Sequence, residues 1–196
     1  MPIIKLAQSL RSILIATLLT LGSQYSVAAG ELVFGKDDEW VIFRGPIVSV
    51  EVDNILAQLA EKKPKLILLN SIGGNVSGAL RFAKYVRKNQ MNTWISQHST
   101  CASACALVFL AGVQRFSEGR LVVHQYLPQA EQGDEKIARD LAWISIQRII
   151  GETITLLNDL DTPRFVFERI FTSPELYEFT EAEMAELTTV SSLDQM

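Results

Sequence analysis

The feature that most constrains this chain is an alternation of short β-prone runs with apolar stripes at helical spacing, separated by glycine-bearing turns. Leu66-Ile67-Leu68-Leu69 is an unbroken apolar run, which suits a strand buried on both faces. It stops at Asn70-Ser71-Ile72-Gly73-Gly74, where Asn75 can cap a helix whose apolar stripe is Val76, Ala79, Leu80, Ala83 and Val86. Arg87 and Lys88 end that helix with the charge a helix C-terminus favours. Upstream, Trp40-Val41-Ile42-Phe43 is β-prone and halts at Gly45-Pro46. Ser49 is then a candidate N-cap for a helix carrying Val52, Ile55, Leu56 and Leu59 on one face, closed by Lys62-Lys63-Pro64. Downstream, the pattern predicts a strand near Thr93-Trp94-Ile95, a polar loop, a small-residue helix from about Ser103 to Ala111, and a strand Leu121-Val122-Val123 ending at His124. Strand and helix alternating in this way imply a parallel sheet with right-handed crossovers, hence an α/β fold.

Beyond His124, Gln129 to Asp134 reads as a polar loop and Ile137 to Leu157 as a long helix with Gly151 as its weak point. Thr180-Glu181-Ala182-Glu183 is a capping box that opens a last short helix. A length of 196 residues closes one core and is short for two, so residues 30–196 are expected to form a single domain. Residues 1–29 read as a signal peptide, with Lys5 and Arg11 leading an uncharged run from Ser12 to Gly22. Ser26-Val27-Ala28 and Val27-Ala28-Ala29 both fit the small-x-small cleavage rule. The apolar run is well below the ~20 residues of a membrane span. A cleaved leader and a periplasmic or secreted chain are therefore expected, with an inner-membrane anchor as the alternative.

Removing the charges of Lys5 and Arg11 from the formal total of −4 leaves −6, which disfavours nucleic acid as a partner. Two histidines and two cysteines without paired ligand spacing argue against zinc, so the expectation is a chain with neither metal nor cofactor.

Acyl transfer requires a nucleophile, a base within hydrogen-bond reach and backbone donors aimed at the developing oxyanion. Ser103 lies among the small residues of Cys101-Ala102-Ser103-Ala104-Cys105 just before an apolar stretch, where its hydroxyl can project at a helix start with the Ala104 N–H open to a ligand. Gly73-Gly74 follows a strand, and backbone without a Cβ can approach a ligand closely enough to supply a second donor. His124 stands at a strand end, where open α/β sheets place reactive groups. Each of these also has a plain structural use: an N-cap for Ser103, a tight turn for Gly73-Gly74, a hydrogen-bonded strand end for His124.

Together the three segments resemble, in order and approximate spacing, the proteolytic subunit of Clp protease. Asn70-Ser71-Ile72-Gly73-Gly74 is similar to that family's Asn-Ser-Pro-Gly-Gly oxyanion turn, with Ile72 replacing proline. Ala102-Ser103-Ala104 with Leu107 to Gly112 resembles its nucleophile helix, and Val122-Val123-His124-Gln125 its histidine strand. Val41-Ile42-Phe43 with Gly45-Pro46 matches its first strand and turn. The likeness covers roughly residues 40–126. More narrowly, the leader, the short C-terminal part and the Cys-x-Ser-x-Cys pattern look like periplasmic proteins related to Clp protease.

The resemblance implies a crotonase-like α/β spiral of β-β-α units and a serine endopeptidase mechanism. Ser103 would attack, His124 would take its proton, and the amides of Gly73 or Gly74 and of Ala104 would hold the oxyanion. It implies a peptide or protein substrate and a homo-oligomer, while export would keep the chain from any cytosolic unfoldase. The segment from Ile137 to Leu157 stands where the Clp subunit carries its ring-joining element; its Leu141, Trp143, Ile144 and Ile149 serve either a subunit contact or the chain's own core.

The departures concern the third catalytic group. Ser173 falls where the family has an aspartate, leaving Glu175 and Asp161 as candidate acids. The family's glycine ahead of the nucleophile is replaced by His98-Ser99-Thr100, and His98 is the lesser candidate base. Lys84 and Lys88 have no evident path to Ser103, which disfavours a Ser/Lys pair. Cys101 and Cys105 flank Ser103 symmetrically; in a helical turn their Cα atoms lie about 6 Å apart, within disulfide reach. They either form a bridge or pack as two small buried residues. A serine hydrolase is thus weighed against a non-catalytic binding module of the same fold, and against an acyl-CoA enzyme, for which Ser103 would have no role.

Overall fold

The computed structural model describes residues 29–126 and 135–195, with backbone alone for 135–139. The expected leader and the expected loop at 129–134 lie outside the described residues, apart from residue 29 of the former.

Two sheets organise the chain. The larger has the order β1 (Glu31–Phe34), β2 (Trp40–Arg44), β3 (Leu66–Asn70), β4 (Asn92–Ile95), β6 (Arg115–Ser117). β1 pairs antiparallel with β2, and the other pairings are parallel. The smaller has the order β5 (Thr100–Ala102), β7 (Arg120–Val123), β8 (Tyr177–Glu178), with β5 and β7 parallel. Helices α1 (Val52–Lys62) and α2 (Val76–Lys88) connect the parallel strands β2, β3 and β4; α3 (Cys105–Leu110) connects β5 to β6. α4 (Glu135–Asp159), α5 (Arg164–Thr172) and α6 (Glu181–Leu187) make up the C-terminal part.

The apolar periodicities act as expected in the helices. Val52, Ile55 and Leu59 of α1 and Ala79, Leu80, Ala83 and Val86 of α2 are buried, and Phe82 joins them with its ring edge-on to Phe43 at 5.3 Å. Asn75 caps α2, its Oδ1 accepting the Gly78 N–H at 2.8 Å. Ser49 differs from expectation: it begins a 3₁₀ turn, Ser49–Glu51, and α1 starts at Val52 with no side-chain cap. The box at α6 is present in both directions, Thr180 Oγ1 accepting from Glu183 N and Glu183 Oε2 accepting from Thr180 N at 2.9 Å.

β3 is not buried on both faces. Ile67 and Leu69 are fully covered while Leu66 and Leu68 are half-buried, and β2 and β4 alternate in the same way. One face of the large sheet therefore meets the core and the other is only partly covered. On that second face the register aligns Val33, Ile42, Leu68, Trp94 and Phe116 in a continuous apolar row across all five strands.

α4 is divided along its length. Thr153, Leu156 and Leu157 are buried against the domain, whereas Leu141, Trp143 and Ile144 are 54%, 63% and 62% exposed. Those three residues are thus outside the chain's own core. No helix among the described residues is long and apolar enough to cross a membrane.

Candidate functional site

The two sheets meet where β3 runs into its glycine turn. Ser71 forms a parallel bridge with Cys101, its N–H donating to Thr100 O and its carbonyl accepting from Ala102 N, each at 2.8 Å. Cys101 in turn pairs with Leu121 of β7. The end of β3, β5 and β7 therefore lie side by side and parallel. Their C-terminal ends carry Gly73, Ser103 and His124, three residues from stretches 30 and 21 positions apart in the chain.

Ser103 occupies the turn between β5 and α3 with φ +55°, a left-handed conformation that a residue with a Cβ adopts only when its surroundings impose it. Its N–H donates to Val122 O at 2.8 Å, and its carbonyl accepts from Ala106 N at 3.0 Å. The serine is not the helix N-cap that the sequence suggested; Ala104 holds that position. Ser103 Oγ has no hydrogen-bond partner among the described residues, so it serves no capping role. The Ala104 N–H likewise has no acceptor among them.

The glycine turn packs directly on this serine. A Cβ on Gly73 would fall inside contact distance of Ala102 O, 2.8 Å from Ala104 N and 2.9 Å from Ser103 Cβ. Gly73 also has φ +84° and Gly74 φ +135°. The Gly73 N–H donates to Ser71 Oγ at 3.1 Å, so this amide already has an acceptor within its own turn. The extended segment at Ile47 braces the other side, Ile47 N donating to Gly73 O and Ile47 O accepting from Asn75 N.

His124 follows β7 directly, and its Nδ1 lies 2.8 Å from Gln125 O. A carbonyl oxygen only accepts, so Nδ1 is the donor of this contact; in the neutral ring Nε2 is then the nitrogen with the lone pair, the tautomer a general base requires. The Gln125 N–H donates to Ser173 O at 2.8 Å, which ties the histidine's backbone to the end of α5.

No described carboxylate forms an ion pair with His124. Glu175 is exposed in the turn before β8, and Asp161 is exposed at a left-handed turn after α4. Both lie where solvent competes for the charge. Ser173 does come to the histidine strand, through its backbone carbonyl. His98 is exposed in the loop between β4 and β5, and Lys84 points to Glu152 of α4 at 3.9 Å.

Cys101 and Cys105 are bonded, with Cα atoms 5.3 Å apart, and both are fully buried. Of the two uses open to them, the bridge is the one realised. Residue-by-residue reading missed Ser71, whose hydroxyl organises the glycine turn. It also missed Tyr126, which anchors the chain beyond His124: its hydroxyl is 3.3 Å from Thr153 Oγ1, its ring sits edge-on to Phe171, and burial pushes its pKa up to about 12. Among the described residues no group of three or more His, Cys, Asp or Glu could hold a metal.

A parallel α/β core whose strand ends gather a glycine turn, a serine turn and a histidine defines a single-domain fold of the Clp protease type. No family model and no curated protein matches the sequence. The fold does match solved structures, 453 chains in number. Among them is an asparagine-to-aspartate mutant of ClpP1 from Listeria monocytogenes, 18% identical, with a TM-score of 0.56 over 81% of this chain and 94% of that one.

Proposed function

We propose that this protein is an exported serine hydrolase that cleaves peptides without ATP, metal or cofactor, using Ser103 and His124. What carries the reading is the serine turn. A left-handed residue with a free hydroxyl has been set beside the strand that ends in a histidine of the base tautomer. Ser103 Oγ attacks the scissile carbonyl while His124 Nε2 takes its proton; the tetrahedral intermediate collapses as that proton passes to the departing amine. Water then hydrolyses the acyl-serine by the same proton relay. The Ala104 N–H is one oxyanion donor. The glycine turn supplies the other, from Gly74 or from Gly73 sharing its proton with Ser71 Oγ.

Gln125 O takes the place of the third catalytic group. It holds the ring proton on Nδ1 as a carboxylate would, but brings no full charge to stabilise the imidazolium. The expected consequence is a correct tautomer with a reduced rate. The test is labelling of the mature, oxidised protein by a fluorophosphonate, beside Ser103→Ala and His124→Ala. Labelling that disappears in both variants supports the hydrolase.

That no carboxylate among the described residues pairs with His124 favours one second reading, a non-catalytic binding module that retains the fold. Folded, oxidised protein that resists the probe would select it. Self-association accompanies either reading, because Val33 at the edge of the large sheet and the Leu141, Trp143, Ile144 face leave apolar surface uncovered among the described residues. Light scattering that gives a monomer mass would remove that part, and a protein retained in the cytoplasmic fraction would remove export.

A further inference from the structure

We infer that the Cys101–Cys105 bond is the positioning element of the serine turn, so that Ser103 is competent only while the two cysteines are joined. The inference rests on the hydrolase reading for one of its two measurements and is independent of it for the other.

The bond spans the serine turn and nothing more. Cys101 is the middle residue of β5, fixed on one side by Ser71 and on the other by Leu121. Cys105 is the first residue of α3. Between these anchors stand only Ala102, Ser103 and Ala104. Ser103 is held at φ +55°, and its own side chain makes no hydrogen bond among the described residues to keep it there. Left to itself, an L-residue relaxes toward extended or right-handed backbone. Extended chain would carry the Cα atoms of residues 101 and 105 about 13 Å apart; the bridged pair stands at 5.3 Å. A disulfide reaches no further than about 7 Å. The bond therefore forbids the extended alternative of the turn; a right-handed turn, with the two Cα atoms about 6 Å apart, stays within its reach.

Burial decides the manner of control. Both cysteines have no accessible surface, so a reductant reaches the bond only after the turn opens. The bridge is a brace set when the chain folds. A dithiol that does gain access transfers two electrons and two protons, leaves Cys101 and Cys105 as thiols and departs as its own disulfide. Without the bond, the disfavoured conformation is left to backbone contacts, chiefly Ser103 N–H to Val122 O and Ala106 N–H to Ser103 O, and to the packing of Gly73 on the turn.

The experiment compares oxidised protein with Cys101→Ala/Cys105→Ala, and with wild type refolded and kept in dithiothreitol. Two quantities are read: the fluorophosphonate labelling rate per folded molecule, and amide hydrogen exchange at Ser103 and Ala106 against Ile67 and Leu69 of β3. The expected result is labelling slowed by about 100-fold, the scale of a 1 Å displacement at a reacting group. Protection should be lost at Ser103 and Ala106 and kept in β3. Unchanged labelling with an unchanged Ser103 amide overturns the inference, as does equal loss of protection in the turn and β3, which would make the bond a general stabiliser. If even the oxidised protein resists the probe, the hydrolase reading fails by itself, and the exchange comparison still decides whether the bond holds the turn.

Discussion

Replacing Gly73 by alanine tests the close approach on which the site is built. Gly73 has φ +84°, and a side chain in left-handed backbone costs about 1–2 kcal/mol. The added Cβ would also meet Ala102 O, Ala104 N and Ser103 Cβ. Two of these are backbone atoms of the serine turn, which Ala102 N–H ties to Ser71 O and Ser103 N–H to Val122 O, so they cannot swing aside as a side chain would. Overpacking of this kind costs a further ~1–3 kcal/mol. Gly73→Ala is therefore expected to lose about 2–5 kcal/mol of unfolding free energy. The folded fraction should label slowly, since the shift needed to admit the methyl moves Ser103 itself. Gly151→Ala is the matched control. It lies exposed within α4, a Cβ there meets nothing within 4 Å, and an exposed helix position gains about 1 kcal/mol from the exchange. Urea titration of the three proteins reads both effects as opposite movements of the midpoint at constant slope. A Gly73→Ala protein as stable as its parent and labelled at the parent rate would refute the packing of the glycine turn on Ser103.

Arg115 donates to Leu187 O at 2.7 Å and Gly112 O at 3.0 Å, joining the end of α3 to α6. Arg115→Met leaves those carbonyls without their donor and should cost about 1–3 kcal/mol by urea titration. Tyr126 ionises near pH 10 when unfolded and near 12 when folded, so its stabilising contribution is intact below pH 10 and is lost as pH climbs toward 12. Over that interval the wild type should lose about 2–3 kcal/mol more than Tyr126→Phe. Parallel stability curves for the two proteins between pH 9 and 12 would dismiss the burial of this phenol.

Much of the architecture was legible because it depends on neighbours in the chain. The stripes of α1 and α2 recur every three or four residues, which buries one face whatever the partner. Asn75 and Thr180 act within three residues of themselves. Even the order of the glycine turn, serine and histidine segments could be read directly. What escaped depends on distant partners. β1 is a short edge strand with no long apolar run, and only its pairing with β2 defines it. The half-covered face of β3 followed from how the layers stack. That Glu175 and Asp161 both stand exposed in turns was likewise not readable from their neighbours in the chain.

The sequence by itself determined the helices α1 and α2, the strands β2, β3, β4 and β7, and which residue types could do acyl chemistry, since periodicity, capping and side-chain reactivity are local properties. Tertiary structure alone decided that Ser103 stands in left-handed backbone against Gly73, that the proton of His124 is held by Gln125 O, and that Cys101 meets Cys105. The first of these depends on strands from separate stretches of chain pairing in one register, which no short window of sequence contains; the other two join near neighbours in the chain, whose geometry that same register fixes.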